Sequence, residues 1–562
     1  MKRMIIISIC LIISFIQLCA QVVYVPLEHE IYDFLKRMEA RQLITGYRDA
    51  SLPMSRIAIA SFLNVLEGKV DNMTKVEREI FEFMKTEFKY EMLKLQGDEK
   101  PSEIRWHIYS GELTGGIINC DLDYSIAKRL FGKQSNFYRS QGFKVYGYVY
   151  KNVGYYFNIV DNLERGDRVD YGRLNNKGID NCQFLSEEEK EYYRRIKSSS
   201  GGVIPSQINS RKQFQYDEID AVINWQIGDF VFSLEKISNA WGYGKTGRVI
   251  LSNNAPSYPQ IKLQFQLSKD ISFIYFHGEL NSNVVDSSRS YIIIYNNPAY
   301  IKSRTIEHTK YIAAHQIEFS IWNGFDLALG ESVIYSDRGP LLIYLIPVMF
   351  FKAAEHYNDD KDNCQLFGSL DLNLIKNVNL YFSLFIDEIN TDQLFDPYRS
   401  HRQIAFNSGI QLFDLPFTNT DVRLEYTRLN PAVYNHSIPS VTFENNGFVL
   451  GNWMGQNSDN LYCEVGIIPK QGLRFSLFGN IFRKGAALSI FDQYSERQGE
   501  KPFLFGPLHE ERSVGFAIKY QPLRDIFIDI NGRFHRIRDE LCPSMNKNFQ
   551  FEFFSGISLG IW

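Results

Sequence analysis

From about Pro101 to the C-terminus, apolar and polar residues alternate with a period of two. Between Arg524 and Arg538, Ile526, Ile528, Ile530 and Phe534 share one face, and Asp525, Asp529, Asn531, Arg533 and His535 share the other. The same division recurs where Val378, Leu380, Phe382, Leu384 and Ile386 alternate with Asn379, Tyr381, Ser383 and Asp387. It recurs again at Leu473, Phe475, Leu477 and Ile481 against Arg474, Ser476 and Asn480, and at Ile317, Phe319 and Ile321 against Gln316, Glu318 and Ser320. Such strands need two environments. A sandwich offers a second sheet, and a membrane barrel offers lipid outside and a wet, ionic lumen inside.

The connections separate the two. Very short ones fall at Lys151-Asn152, Ile227-Gly228-Asp229, Ser268-Lys269-Asp270, Asn323-Gly324, Lys376-Asn377, Leu415 to Asn419, Pro469-Lys470-Gln471 and Pro522-Leu523-Arg524, most with hairpin-turn chemistry. Between them lie long polar loops, including Asn162 to Phe214, Ser282 to His308, Ser336 to Asn363, Leu429 to Ser458 and Gly485 to His509. Sandwiches have no reason to keep this alternation through eight hairpins. The pattern predicts an all-β transmembrane barrel of about 18 antiparallel strands within residues 101–562, with N- and C-termini on the short-turn, periplasmic side. No uninterrupted apolar run after the N-terminus reaches the length of a membrane-spanning helix, so a membrane crossing must be made by strands. The last strand places Phe549, Phe551, Phe553, Ile557, Leu559 and Ile561 in one frame. Terminal Trp562 resembles the insertion signal of bacterial outer-membrane proteins, which implies the outer-membrane insertion machinery and outer-membrane lipid as partners.

Residues 21–100 have a helical period. Ile31, Phe34, Leu35 and Met38 form one stripe, Ile59, Phe62, Leu63 and Leu66 a second, and Thr74 with Glu77 caps a third helix carrying Ile80, Phe81, Met84 and Phe88. The favoured reading is a periplasmic helical bundle packed on the barrel mouth. The segment from Tyr32 to Leu66 also resembles an S-layer-homology unit, which would imply contact with the cell wall through residues 27–95. Ahead of it, Lys2 and Arg3, the apolar run Met4 to Leu18 and the small residue Ala20 describe a secretory signal peptide over residues 1–20. Leu18 before Cys19 is a poor match to a lipoprotein site.

The net charge is −4, and removing Lys2 and Arg3 with the signal takes it to −6, which argues against nucleic acid as a partner. The five cysteines beyond the signal, Cys120, Cys182, Cys364, Cys463 and Cys542, are odd in number and widely spaced, so they describe neither a disulfide framework nor a zinc site. There is no G-x-S-x-G, no metal-spaced histidine pair and no nucleotide loop, so no enzyme, metal or cofactor is expected. His277 shares a strand face with Tyr275 and Glu279, His315 falls on an apolar face, and His535 lies beside Asp529 and Arg533; none makes a catalytic set.

The loops are rich in groups that stack or grip: Trp241, Tyr243, Arg248, Arg428, Tyr434, His436 and Trp453. Flat aromatic faces pack on sugar rings, and arginine holds carboxylate or hydroxyl groups. The plainer alternative is that these residues anchor loops inside the lumen. The run Ala240-Trp241-Gly242-Tyr243-Gly244 to Ser252-Asn253-Asn254-Ala255-Pro256 resembles the capsule-assembly Wzi-type barrel family, as do Glu425-Tyr426-Thr427-Arg428, Tyr434-Asn435-His436 and Gly447 to Gly455. The resemblance implies a closed outer-membrane barrel with helices at its periplasmic end and an outer face that retains capsular or extracellular polysaccharide without turnover. A substrate-selective porin for sugars or anionic oligomers is the alternative. The apolar stretch Pro347-Val348-Met349-Phe350-Phe351 favours the first, because such a loop segment is expected to fold back into the lumen and block it.

Overall fold

A computed structural model describes residues 23–97 and 106–560 except 114, 151, 168, 210–211, 295–300, 360, 389–401 and 496–498. The expected signal segment 1–20, Lys151 of the first turn, and Ile561 and Trp562 of the terminal strand lie outside the described residues.

The period-two region forms a closed barrel of 18 antiparallel strands. They are β1 (Gly116–Phe131), β2 (Gln134–Val149), β3 (Val153–Gly166), β4 (Gln213–Ile227), β5 (Phe230–Ile237), β6 (Tyr258–Ser268), β7 (Ile271–Val285), β8 (Glu307–Trp322) and β9 (Phe325–Ser336). The circuit continues with β10 (Asn363–Leu372), β11 (Val378–Glu388), β12 (Gln403–Phe413), β13 (Thr420–Leu429), β14 (Ser458–Lys470), β15 (Leu473–Lys484), β16 (His509–Leu523), β17 (Ile526–Asp539) and β18 (Lys547–Leu559). Each pairs with the next, and β18 closes on β1 from Glu552 opposite Phe131 to Leu559 opposite Tyr124. Closure leaves the circuit without an open edge. The eight short turns all fall at one end. Gly324 in the β8–β9 turn has φ +78°, and a Cβ there would come within 2.7 Å of the Asn373 carbonyl. At the opposite end the connections are long, except that β1 and β2 are joined by Gly132-Lys133 alone.

The strand faces are inverted relative to a soluble protein. Leu477, Val514 and Phe534 are 65%, 60% and 51% exposed on the outer surface, while Gln316, Ser383 and Asn407 are fully buried inside. This is the two-solvent pattern expected of a barrel wall in lipid. The lumen is not simply wet, however. Ile274, Phe276, Ile312, Ala314, Ile334, Phe367 and Phe385 also point inward, where they pack on two loops that have folded into the barrel. Residues 238–257 bring Trp241, Val249, Ile250 and Leu251; residues 430–457 bring Val433, Tyr434, Phe443, Phe448 and Leu450. The inner wall is therefore apolar where it meets the loops and polar elsewhere.

The helical region forms α1 (Ile31–Ala40), α2 (Arg56–Glu67), α3 (Lys75–Glu87) and α4 (Lys89–Gln96). The Thr74–Glu77 capping box starts α3 as predicted. The apolar stripes meet one another, with Ile31, Leu35, Ile59, Leu63, Phe81 and Phe88 in one core. The outer faces of the bundle are ionic and dock on the short-turn end. Arg37 reaches Glu77 at 2.8 Å and Asp421 of β13 at 2.5 Å, and also binds Asp414 in the β12–β13 turn. Lys36 lies 2.7 Å from Asp49 and 3.0 Å from Asp371 of β10. Glu91, bound by Arg56 at 2.7 Å, also accepts from Tyr148 of β2 at 2.8 Å. Above the bundle, Ser51-Leu52 pairs with Ala240-Trp241 of the inserted loop, so the two plugs meet inside the barrel.

One expectation is overturned. The apolar stretch Pro347–Phe351 does not fold into the lumen. The segment 337–362 descends on the outside of the wall, where Tyr344 and Phe351 pack against Phe273, Tyr275, Val333 and Tyr335. The ladder fixes the side: these wall residues alternate with Ile274, Phe276 and Ile334, which face the lumen core. The lumen is filled by other segments.

Candidate functional site

At the long-loop end, loops and strand ends surround a cavity of about 370 Å³. The loop 430–457 contributes Tyr434, Asn435, Trp453 and Gln456, while the loop after β3 contributes Arg194, Arg195 and Lys197, and Lys484 projects from the end of β15. The arginines lie at the C-terminal end of a helix, α5 (Glu187–Arg195), whose start is capped reciprocally by Ser186 and Glu189. That helix is two-sided: Glu187 and Glu191 are exposed, whereas Arg195 is buried and bound to Asp539 of β17.

The cations here differ in how they are neutralised. Arg194 has Asp180 at 2.6 Å and Glu191 at 3.3 Å. Lys197 donates to the Leu174 carbonyl at 3.0 Å and Asn176 Oδ1 at 3.1 Å, and Lys484 donates to the Met454 carbonyl. Among the described residues neither lysine has a carboxylate within salt-bridge distance. Burial pushes the Lys197 ammonium down to about 8. Burial likewise raises the nearby Glu444 carboxyl, with Lys310 and Lys197 opposing it. Lys197 and Lys484 make their direct contacts to neutral oxygens and share the cavity lining with the Glu444 carboxyl, so that beside an aromatic wall they can accept a further anionic group.

The predicted residues divide among different surroundings. Tyr434 and Trp453 border the cavity. Tyr434 is nearly fully buried, donating its backbone N–H to Asp387 at 2.7 Å and its hydroxyl to the Val249 carbonyl at 2.6 Å. Trp453 is partly buried, with its indole N–H on the Thr246 carbonyl at 2.6 Å. Trp241 lies deeper, fully buried and edge-on to Phe276 and Phe367 at 5.2 and 5.8 Å. Tyr243 is also buried, 5.4 Å from Lys36 Nζ, and Arg248 donates back to the carbonyls of Ala240 and Gly242. Arg428 is on the outward frame of β13, with its guanidinium 3.9 Å from the centre of the Phe503 ring. His436 is partly buried and accepts from the Ile438 N–H at 3.1 Å. Arg194, Arg195, Lys197, Gln456 and Lys484 were not anticipated. The Tyr192-Tyr193-Arg194-Arg195-Ile196-Lys197 run carried the signal, because aromatic residues interleaved with cations suit a buried face better than a solvated one.

A second cavity, of about 1010 Å³, runs beside β1 to β5. Its lining carboxylates, Glu28, Asp123, Asp217, Glu218, Asp220, Glu279 and Glu307, outnumber the cations Lys144, Arg173 and Lys236. At the docking face of α1, Glu39, Asp326 and Asp371 converge, with Lys36 beside Asp371 and Glu39 as their counter-ion.

Residues 186–477, more than half of the chain, match the model of the family described as capsule assembly protein Wzi. The chain belongs to this Wzi family. Among solved structures, Escherichia coli Wzi is similar with a TM-score of 0.56 at 10% identity, over 96% of this chain and 99% of that one. That protein is described as an outer-membrane protein involved in group 1 capsule assembly and a carbohydrate-binding β-barrel. Pseudomonas aeruginosa OprD matches with a TM-score of 0.39 at 10% identity over 78% of this chain and 94% of its own. Acinetobacter baumannii OccAB4 gives 0.42 at 11% identity over 79% and 97%. No curated protein matches the sequence. The Wzi family match covers both inserted loops and the cationic run at 194–197, and it stops short of Lys484.

Proposed function

We propose that this Wzi-family barrel retains capsular or extracellular polysaccharide at the cell surface by non-catalytic binding, and that the bound glycan is acidic. The observation that carries the reading is the cavity where Trp453 and Tyr434 meet Lys197 and Lys484, two amines that, among the described residues, have no carboxylate within salt-bridge distance. A uronate or similar anionic sugar offers both a ring face to the indole and a charge to the amines. Each contact is weak, and many glycan repeats over many barrels convert weak contacts into retention. Trp241 and Tyr243 support the site from below by fixing the inserted loop, whereas Arg428, on the outward frame, and His436 lie outside the cavity and would meet glycan only at the rim. The short-turn end, with both termini of the mature chain and the helices of 21–100, faces the periplasm; the leader at 1–20 directs export, and the barrel of 101–562 is inserted by the outer-membrane insertion machinery. The bundle spends its apolar stripes on its own core and its cations on the wall, which favours a plug over a cell-wall anchor.

Replacing Trp453 by Ala together with Lys197 and Lys484 by Gln tests the reading. The expected result is release of polysaccharide into the medium, with heat-modifiable barrel at wild-type level. In vitro, the Lys197→Gln and Lys484→Gln changes without the Trp453 change lower affinity for an acidic oligosaccharide at least tenfold while a neutral one of equal length is unaffected. Cells that assemble the variant and keep their capsule would overturn it.

The alternative, a porin for sugars or anionic oligomers, draws on the second cavity, whose acidic lining suits neutral sugars and disfavours anionic oligomers.

A further inference from the structure

The segment 337–362 on the outer wall contains eleven consecutive residues without a charge, Leu341 to Phe351. It begins and ends at the long-loop rim, where Arg338 binds Asp362. Between these points it is fastened to outward-facing side chains. Tyr275 donates to the Tyr344 carbonyl at 2.8 Å, and Tyr335, 2.7 Å from His277 Nε2, accepts from the Leu341 N–H at 3.1 Å. Lower down, Glu331 accepts from the backbone N–H groups of Phe351 and Lys352 at 2.7 and 3.4 Å and lies 3.1 Å from His315 Nε2. Glu331 is midway along β9 and His315 midway along β8, so the segment reaches about 13 Å below the rim for strands tilted by roughly 40°. A barrel wall in lipid is apolar at that depth, and an outward carboxylate there is costly unless covered.

The other side of the segment is bare. Leu342, Val348 and Phe350 are 80%, 73% and 56% exposed, next to a wall whose own Leu329 and Leu366 are 48% and 42% exposed. In water these side chains would form an apolar patch with nothing to cover it. We propose that residues 341–351 form a wedge seated in the outer leaflet, with Leu342, Val348 and Phe350 among the lipid acyl chains. The occupant is lipid because the bare face continues the lipid-facing wall on which the segment lies. The wedge does two things at once: it seals Glu331 and His315 from hydrocarbon, and it holds the rim at a fixed depth. This goes beyond glycan retention and depends only on the barrel being in a membrane.

Collision accessibility of a nitroxide decides it. Val348→Cys in a Cys463→Ser background would be labelled, folded into phosphatidylethanolamine–phosphatidylglycerol vesicles and compared with two controls, Val514→Cys on the bare wall and Lys361→Cys at the rim. The Cys463→Ser protein alone supplies the labelling background. The expected result is oxygen collision at position 348 within twofold of position 514, and nickel-chelate collision at least fivefold below position 361. Leu342→Cys should behave as Val348→Cys, which keeps the test alive if one variant folds poorly. High nickel-chelate collision would place the segment in water and overturn the proposal. Low collision with both reagents would mean that protein, such as a second copy of the chain, covers the face, and would overturn lipid as the occupant.

Discussion

A single position on this wall has a cost set by its frame, because neighbouring residues face different solvents. Val514 is 60% exposed on the outer surface, opposite Phe534 of β17, whereas Asn531 of β17 lies in the inward frame opposite Ala517. Arginine on the lipid face costs about 2–4 kcal/mol near the midplane, while in the lumen frame it meets polar groups. Val514→Arg should therefore lower the heat-modifiable fraction after folding into vesicles far more than Asn531→Arg; equal fractions would mean that the frame is misassigned. Lys197 gives a second test. Its amine, ordinarily near 10.4, is held at about 8 by burial. Below that pH it is an ammonium able to hold a carboxylate, and above it the charge is lost. Affinity for an acidic oligosaccharide should weaken between pH 7 and pH 9, and Lys197→Gln should flatten the profile. Folding stability carries the opposite sign for this group. Between about 8 and 10 the unfolded chain holds a proton that the folded chain has released, so its contribution to stability rises with pH.

The elements differ in how far the sequence reveals them. Strands such as β11, β15 and β17 are legible because a period of two with opposite faces leaves one register in which each face meets its solvent. The Thr74 and Ser186 capping boxes are legible because their partners are three residues away. The segment 337–362 misled because apolarity specifies removal from water and does not say on which side of a wall. Only the parity of Tyr275, Glu331 and Tyr335, known once the ladder is known, puts it outside. The cationic cavity was hidden for a related reason. It joins residues more than 200 positions apart, and no local pattern announces that Lys197 and Lys484 will share a space. Trp241, just before Gly242 in a lumen-filling loop, is fully buried and takes the alternative place offered for it, that of an anchor inside the lumen. The docking of α1 offers a test at this scale. Arg37 neutralises Glu77, Asp414 and Asp421 together. Removing one partner of a buried ionic cluster costs about 3–5 kcal/mol, because the carboxylates stay behind. Arg37→Ala should make residues 23–97 readily cleaved by added protease while the barrel remains heat-modifiable; unchanged protection would show that the apolar core of the bundle alone holds it in place.

The whole molecule is a barrel stopped from both ends. The helical bundle enters from the short-turn end, the loops 238–257 and 430–457 enter from the other, and Ser51-Leu52 pairs with Ala240-Trp241 where they meet. On the side of β6 to β15 the inner wall and the loops form one packed core, leaving the lumen side of β1 to β5 as the place for water. Such a body resists opening, since withdrawing either plug would expose apolar surface and unpair buried charges together. An anchor benefits from that rigidity: residues such as Trp453 keep their positions, and ordering on contact with glycan costs little. A selective porin needs the opposite, a continuous path through the β1–β5 cavity past Glu28 at one end and Asn445 at the other. Planar bilayers holding the purified protein should show no steady open-channel steps, and the Trp453 and lysine variants should leave them silent while lowering glycan binding. Steady steps in the unmodified protein, blocked by cationic solutes at the acidic lining, would mean that the cavity connects both sides and that the barrel conducts.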